Sequence, residues 1–220
     1  LQKQYIENIN NSAHSLLGII NDVLDLSKIE AGKLDLELIR GDIVEIAENS
    51  MDILKFSALK KELELLLNIQ PDLPRFALID PVRLKQILVN LLSNSVKFTQ
   101  KGEVELKISF KKIDAEEGIF TFSIRDTGIG ITDEQKGRLF QAFSQADSTT
   151  TRKYGGTGLG LVISNMLVGK MGGVIDLESE PEKGSVFSFS IRTGYSCVEE
   201  VFHENVKKIK KVVVVDDNEN

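Results

Sequence analysis

Apolar positions along the chain follow two rhythms, steps of three and four and simple alternation, and between them they mark out its elements. From Leu1 to about Ala31, Ile9, Ala13, Leu16, Ile20 and Val23 alternate steps of four and three, with Leu17 and Leu24 widening the stripe. Such spacing predicts a long amphipathic helix. One helix cannot bury that stripe alone, so it packs either on the domain beside it or in a helical bundle shared between two chains. A second helical stripe, Leu84, Ile87, Leu88, Leu91 and Leu92, belongs to a helix that opens at Asp80-Pro81, an N-cap followed by proline at the first helical position. Its other face carries Asn90, Asn94 and Lys97, stacked by their spacing of four and three.

The remaining elements follow in order. Leu34, Leu36 and Leu38 alternate as in a short strand, and Asp42 can cap a helix to about Lys61 with Ile43, Ile46, Ala47 and Leu54 inward. Strands are predicted near Glu62 to Ile69, Val104 to Phe110 and Ile119 to Arg125, with a loop at Pro71 to Pro74 and a turn at Asp114 to Gly118. Thr132 and Gln135 form a capping-box pattern for a helix to about Phe143. A further apolar helix ends near Met171, and a hairpin from Gly173 to Arg192 turns at Pro181 to Gly184. Antiparallel hairpins with helices collected on one face predict an α+β fold, a two-layer α/β sandwich on a mixed, largely antiparallel sheet.

Composition narrows the class. A chain of 220 residues with 41% apolar content supports one good core and a smaller element, or two small domains. Net charge is −6 with Lys and Arg scattered, so no basic footprint for nucleic acid is present. The single cysteine, Cys197, forms no internal disulfide, and no Cys/His cluster suggests zinc. Apolar runs such as Val212 to Val215 fall far short of the roughly 20 residues a membrane span needs, and no signal peptide opens the chain. The lone cysteine fits a reducing compartment, so the cytoplasm is the expected location.

Candidate chemistry sits in three stretches. An amide oxygen is a hard ligand for Mg²⁺ and an ammonium neutralises phosphate, so Asn90, Asn94 and Lys97 suit a cation and a phosphate, the alternative being a solvated face. DTGIGI, Asp126 to Ile131, directly follows a predicted strand, with Gly128 and Gly130 allowing close approach to a planar ligand. GGTGLGL, Gly155 to Leu161, opens a helix whose first N–H groups and dipole suit phosphates. Between them Ser144 to Gly158 is polar and small, the composition of a lid, with Arg152 and Lys153 adding positive charge.

In this order the three stretches resemble the N, G1 and G2 boxes of the ATP-binding domain of sensor histidine kinases, in the superfamily that includes gyrase, MutL and the large heat-shock chaperone. The resemblance covers roughly residues 1–195 and implies ATP and Mg²⁺ as ligands. It makes Asp126 the acceptor for the adenine amino group, Asn94 the Mg²⁺ ligand, Lys97 a phosphate contact and Phe98 a ring beside adenine. Asn90, Asn94 and Lys97 form the implied catalytic set. Gly128, Gly130, Arg152, Lys153, Gly156, Thr157, Gly158, Leu159, Gly160 and Ser185 complete the implied ATP site. Phe140 and Phe143 resemble the F box and are read as packing, and Ser95 stands where many members have Ala.

By the same resemblance, SAHSLLGIINDVLDLSKIEAGKLDLE is similar to the second helix of the dimerisation hairpin and its exit into the catalytic domain. The expected division is residues 1–31 for that helix, 32–195 for the catalytic domain, 196–210 for a linker and 211–220 for the first strand of a receiver, whose acidic pair would be Asp216 and Asp217. The first hairpin helix, which carries the phosphorylated histidine in the family, is expected to be missing. His14 lacks an acidic neighbour, and His203, though followed by Glu204, continues into Asn205-Val206-Lys207, a departure from the family motif. The implied activity is transfer of the γ-phosphoryl of ATP to a histidine elsewhere, for relay to a receiver aspartate, in a hybrid kinase that forms a homodimer. Hydrolytic relatives carry Glu four residues before the metal-binding Asn, where this chain has Asn90, which takes no proton. A gyrase-type ATPase and a nucleotide-holding adaptor module remain the alternatives.

Overall fold

A computed structural model describes residues 2–141 and 158–196 of the chain. Helix α1, Gln2–Glu30, ends in a pair of reversed-turn hydrogen bonds, Gly32 N–H to Ile29 O (3.0 Å) and Lys33 N–H to Lys28 O (2.9 Å). Among its described side chains, Leu26 and Ile29 in the last turns enter the core. The alternating Leu34, Leu36 and Leu38 do not form the expected strand. Side chains take that backbone instead: Lys170 Nζ donates to Leu34 O (3.1 Å) and Glu37 N–H donates to Asp80 Oδ2 (3.0 Å).

Strand β1, Ile39–Asp42, starts one residue later and leads into α2, Ile43–Asp52, where Asp42 Oδ1 accepts the Glu45 N–H (3.0 Å) as the predicted cap. The helix expected to reach Lys61 is split by a turn whose hydrogen bond tightens to Leu54 N–H and Met51 O (2.9 Å), after which α3 covers Lys55–Leu59. The buried stripe crosses the break, with Ile43, Ile46, Ala47, Met51, Leu54 and Ala58 all inward. β2, Leu63–Ile69, follows, then β3, Phe76–Ile79, a strand of four residues that the sequence pattern missed between Pro74 and Asp80.

The rest is α4, Pro81–Phe98; β4, Gly102–Lys112; β5, Glu117–Asp126; a short α5, Asp133–Lys136; α6, Gly160–Lys170; β6, Ile175–Glu180; and β7, Gly184–Ser196. The capping box at Thr132 and Gln135 forms, but α5 gives way to looser i to i−3 bonds such as Leu139 N–H to Lys136 O (3.4 Å), well before Phe143, which lies outside the described residues. Phe140 packs on the core, as its reading required.

Among the described residues seven strands form one sheet in the order β1-β3-β7-β5-β4-β2, with β6 also on β7. Only β2 and β4 pair in parallel. Burial along β5 alternates at every position, so Phe120, Phe122 and Ile124 face the helices while Thr121 and Arg125 face outward. Arg125 lies there between Glu103 and Glu105 on β4. Phe187, Phe189 and Ile191 of β7 continue the inner layer, against which Leu84, Ile87, Leu88, Leu91 and Leu92 of α4 are fully buried. Each such side chain contributes about 1.5–3 kcal/mol of transfer free energy. The two-layer α/β sandwich is therefore the observed architecture, and it presents one polar edge of α4 beside the end of β5.

Candidate functional site

The site is built on a helix fixed at both ends. Asp80 Oδ1 accepts the Arg83 N–H (3.0 Å) while its other oxygen holds Glu37, so one buried carboxylate caps α4 and anchors the segment after α1. At the far end Lys61 Nζ donates to the carbonyls of Val96 (2.7 Å), Lys97 (2.8 Å) and Thr99 (3.0 Å). An ammonium there satisfies carbonyls that the helix leaves open and complements its negative pole. The Thr99 hydroxyl donates back to Ser95 O (2.7 Å), closing the last turn.

Asp126 ends β5 directly beside this turn and is only 6% exposed. Its Oδ1 accepts the Gly128 N–H (2.9 Å) and its Oδ2 the Ser95 hydroxyl (3.2 Å), with the Ser185 N–H as a third donor. Burial pushes the carboxyl above its ordinary pKa, and those three hydrogen bonds oppose the shift. Gly128 lies so close to α4 that a Cβ would sit 2.8 Å from Phe98 O and 3.0 Å from Thr99 Oγ1. At Gly130 (φ 65) a Cβ would collide with Glu180 O, so this glycine's close approach is to the β6–β7 turn and not to open space for a ligand. Ile129 O accepts the Glu182 N–H (2.8 Å) and Ser179 Oγ accepts the Ile131 N–H (2.8 Å), tying the whole DTGIGI loop to that turn. Ser185 lies opposite Asp126 in the β5–β7 ladder, with its hydroxyl 2.9 Å from Ser179 Oγ.

On α4, Asn94 and Lys97 are half-buried on the predicted stripe. Burial lowers the Lys97 pKa, and its Nζ stands 5.0 Å from the centre of the Phe98 ring. Asn90 Nδ2 donates to Ser164 Oγ on α6 (2.9 Å). A Cβ at Gly160 would collide with Asn90 Oδ1, so the first turn of α6 meets α4 without a side chain between them. Gly158, at φ 72, and Leu159, buried, lead into that turn. The structure thus gathers Asn90, Gly160, Ser95, Asp126, Gly128, Ser185 and the end of α4 along one seam. Arg152, Lys153, Gly156 and Thr157, the lid, His203, the linker and the receiver strand lie outside the described residues.

Four polar residues of the seam escaped the motif reading. Ser95, in the place where many family members have Ala, bonds Asp126. Ser164 is a lone hydroxyl in an apolar helix, and Thr99 ends a run read for its asparagines. Lys61 carries no local signal, because its partners lie 35 to 38 residues further on. Among the described residues no group of three or more His, Cys, Asp and Glu side chains forms a metal cage. No helix among them is long and apolar enough to cross a membrane.

A sandwich with an asparagine-bearing helix across a strand-end aspartate and a glycine-led helix defines a class, and comparison with known proteins identifies it. A family model described as "Histidine kinase-, DNA gyrase B-, and HSP90-like ATPase" matches residues 79–194, and one described as "His Kinase A (phospho-acceptor) domain" matches residues 1–32. The chain belongs to the histidine kinase family of these ATPase-fold proteins. It is 46% identical over 190 residues to the signal transduction histidine-protein kinase BarA of Escherichia coli (strain K12), covering 86% of this chain and 21% of BarA. It is 42% identical over 193 residues to hybrid signal transduction histidine kinase B of Dictyostelium discoideum, covering 88% of this chain and 10% of that protein. The crystal structure of full-length ShkA in complex with AMPPNP superposes with a TM-score of 0.76 at 33% identity, over 90% of this chain and 40% of ShkA. The chain therefore spans about a fifth of the length of BarA.

Proposed function

We propose that the seam between α4, the end of β5 and the start of α6 binds Mg-ATP, and that the chain transfers the γ-phosphoryl to a histidine on a phosphoacceptor segment outside residues 1–220. In this reading residues 32–195 are the catalytic domain. α1 belongs to a helical bundle shared with a second copy, and residues 211–220 begin a receiver that takes the phosphoryl later. The cytoplasm, where ATP is at hand, is the compartment the activity requires.

The observation that carries the reading is the Asp126 carboxylate. Three neutral donors use three of its roughly four acceptor positions, leaving one for an N–H of a ligand. An adenine amino group supplies that donor, and guanine, with a carbonyl at the same place, does not. Phe98, Gly128 and Ser185 border the base; Gly130 acts by holding the loop on the β6–β7 turn. Lys97 faces the phosphates, with Arg152, Lys153 and the stretch from Gly156 through Thr157, Gly158, Leu159 and Gly160 around them. Asn94 offers one hard oxygen, which fits Mg²⁺ because that ion is commonly held by one or two protein oxygens plus phosphates and water. Bound there, the ion neutralises phosphate charge. Transfer forms a bond from the imidazole nitrogen to the γ-phosphorus and breaks the bond to the β,γ-bridging oxygen; ADP leaves with that electron pair and the imidazole proton passes to solvent. Asn90 takes no proton from water, so hydrolysis stays slow.

Titration of Mg-ATP and Mg-GTP into the wild type and Asp126→Asn tests the reading. The wild type should prefer ATP, and the variant should lose affinity by about tenfold or more as a hydrogen bond to a charged group is lost. Equal binding of both nucleotides, or no loss in the variant, would sink it. The same chain incubated with labelled ATP should take up acid-labile label only when a histidine-bearing hairpin is added. Stability gives an independent check. The Asp126 pKa is raised in the folded state, so the native protein takes up its proton first as pH falls, and stability rises through that window before levelling off at the unfolded value. Asp126→Asn should remove this rise.

A further inference from the structure

Helix α6 is apolar on nearly every side, with Val162, Ile163, Leu167 and Val168 buried, yet Ser164 sits among them at 1% exposure. Burying a hydroxyl is costly unless it is hydrogen-bonded, and Ser is a poorer helix former than Ala or Leu. Its hydroxyl oxygen receives the Asn90 Nδ2–H at 2.9 Å. One turn earlier, on the same face of α6, Gly160 leaves room for the other end of that amide, since a Cβ there would collide with Asn90 Oδ1. The Asn90 carboxamide thus lies lengthwise on the first turn of α6, its donor end on Ser164 and its acceptor end beside Gly160.

We propose that Ser164 is a positioning residue for phosphoryl transfer: its hydroxyl holds the Asn90 carboxamide in place on the first turn of α6, beside the side-chain-free Gly160. The inference rests on the Mg-ATP reading above, which puts the phosphates at that helix start. The bond also fixes α4 against α6, and with it the register of Asn94 and Lys97 on the glycine-led turn. This explains why a polar residue occupies a helix position that packing alone would give to an aliphatic one.

The test compares Ser164→Thr with Ser164→Val in the 220-residue chain. The two side chains fill almost the same volume, so any crowding of α6 is common to both and their difference reads the hydroxyl. Mg-ATP affinity and the rate of transfer to a histidine-bearing hairpin supplied in trans are measured for each, in the wild-type and Asn90→Ala backgrounds. Ser164→Thr should keep most of the transfer rate. Ser164→Val should lose about tenfold in kcat, with KM for ATP changed by less than about threefold, as expected for lost orientation and not lost binding. In Asn90→Ala the Thr and Val chains should transfer equally, because the group being oriented is gone. Equal rates for Thr and Val beside an intact Asn90, or a difference that persists without it, would overturn the inference while leaving ATP binding intact. A wild-type chain that binds no Mg-ATP would overturn the nucleotide reading itself, and this inference with it.

Discussion

Helices α1 and α4 carry the same rhythm of apolar residues, and the structure treats them oppositely. On α4 all five predicted core positions are fully buried, while on α1 Leu16 is 58% and Leu24 51% exposed, with Ile9, Leu17, Ile20 and Val23 also open. Both helices close their last turns with hydrogen bonds, so that local signal does not separate them. What differs is where the partner comes from. Helix α4 meets α2, α6, β4 and β5 of its own chain, whereas the described side chains of α1 that enter their own chain lie near its C-terminus: Leu26, Ile29 and Asp25, which contacts Arg83 (2.9 Å) and Gln86 (2.9 Å) on α4. Periodicity reports that a face will be covered; it does not report by what.

The comparison is broken most forcefully on α4. Leu88→Ala removes a fully buried side chain between helix and sheet, and should cost about 2–5 kcal/mol, read from the midpoint of denaturant unfolding. A loss below about 1 kcal/mol would mean that the α4 stripe is packed no better than that of α1. Next comes the end of α4. Lys61→Met keeps the aliphatic stem but leaves the carbonyls of Val96, Lys97 and Thr99 without their ammonium, for a loss of about 1–3 kcal/mol. Lys61→Arg should recover part of it, because a cation remains within reach. If Met and Arg behave alike, the charge does not hold this helix end.

The same contrast shows what was legible in the sequence. The Leu84 to Leu92 face, the Asp80 cap, the Thr132 box and the β6–β7 turn all depend on residues within a few positions of one another, and all were readable. The motifs from which the proposed site is built, Asn90, Asn94, Lys97, Asp126 and the glycine-led helix, are local in the same way. β3 escaped because four residues between Pro74 and Asp80 are too few to show a period. Leu34 to Leu38 misled because its alternation is real but its hydrogen bonds go to Asp80 and Lys170, far along the chain. Ser164 and Lys61 were invisible for the same reason: their partners are brought near only by the packed sheet and helices.

The smallest effect is expected on α1 and sharpens the comparison furthest. Leu16→Ser changes a side chain that is 58% exposed, so in dilute solution it should alter stability by no more than about 0.5 kcal/mol, against several for Leu88→Ala. If a second copy covers this stripe in the bundle proposed above, the wild type gains stability from association, and its Tm must rise with protein concentration by mass action. Leu16→Ser should weaken that rise without moving the dilute-limit Tm, so the two chains coincide when dilute and diverge when concentrated. Sedimentation at matched concentrations should show the wild type associating more strongly than the variant. Curves that stay superimposed at every concentration would mean that no second copy covers α1, and its open face would then need a different partner.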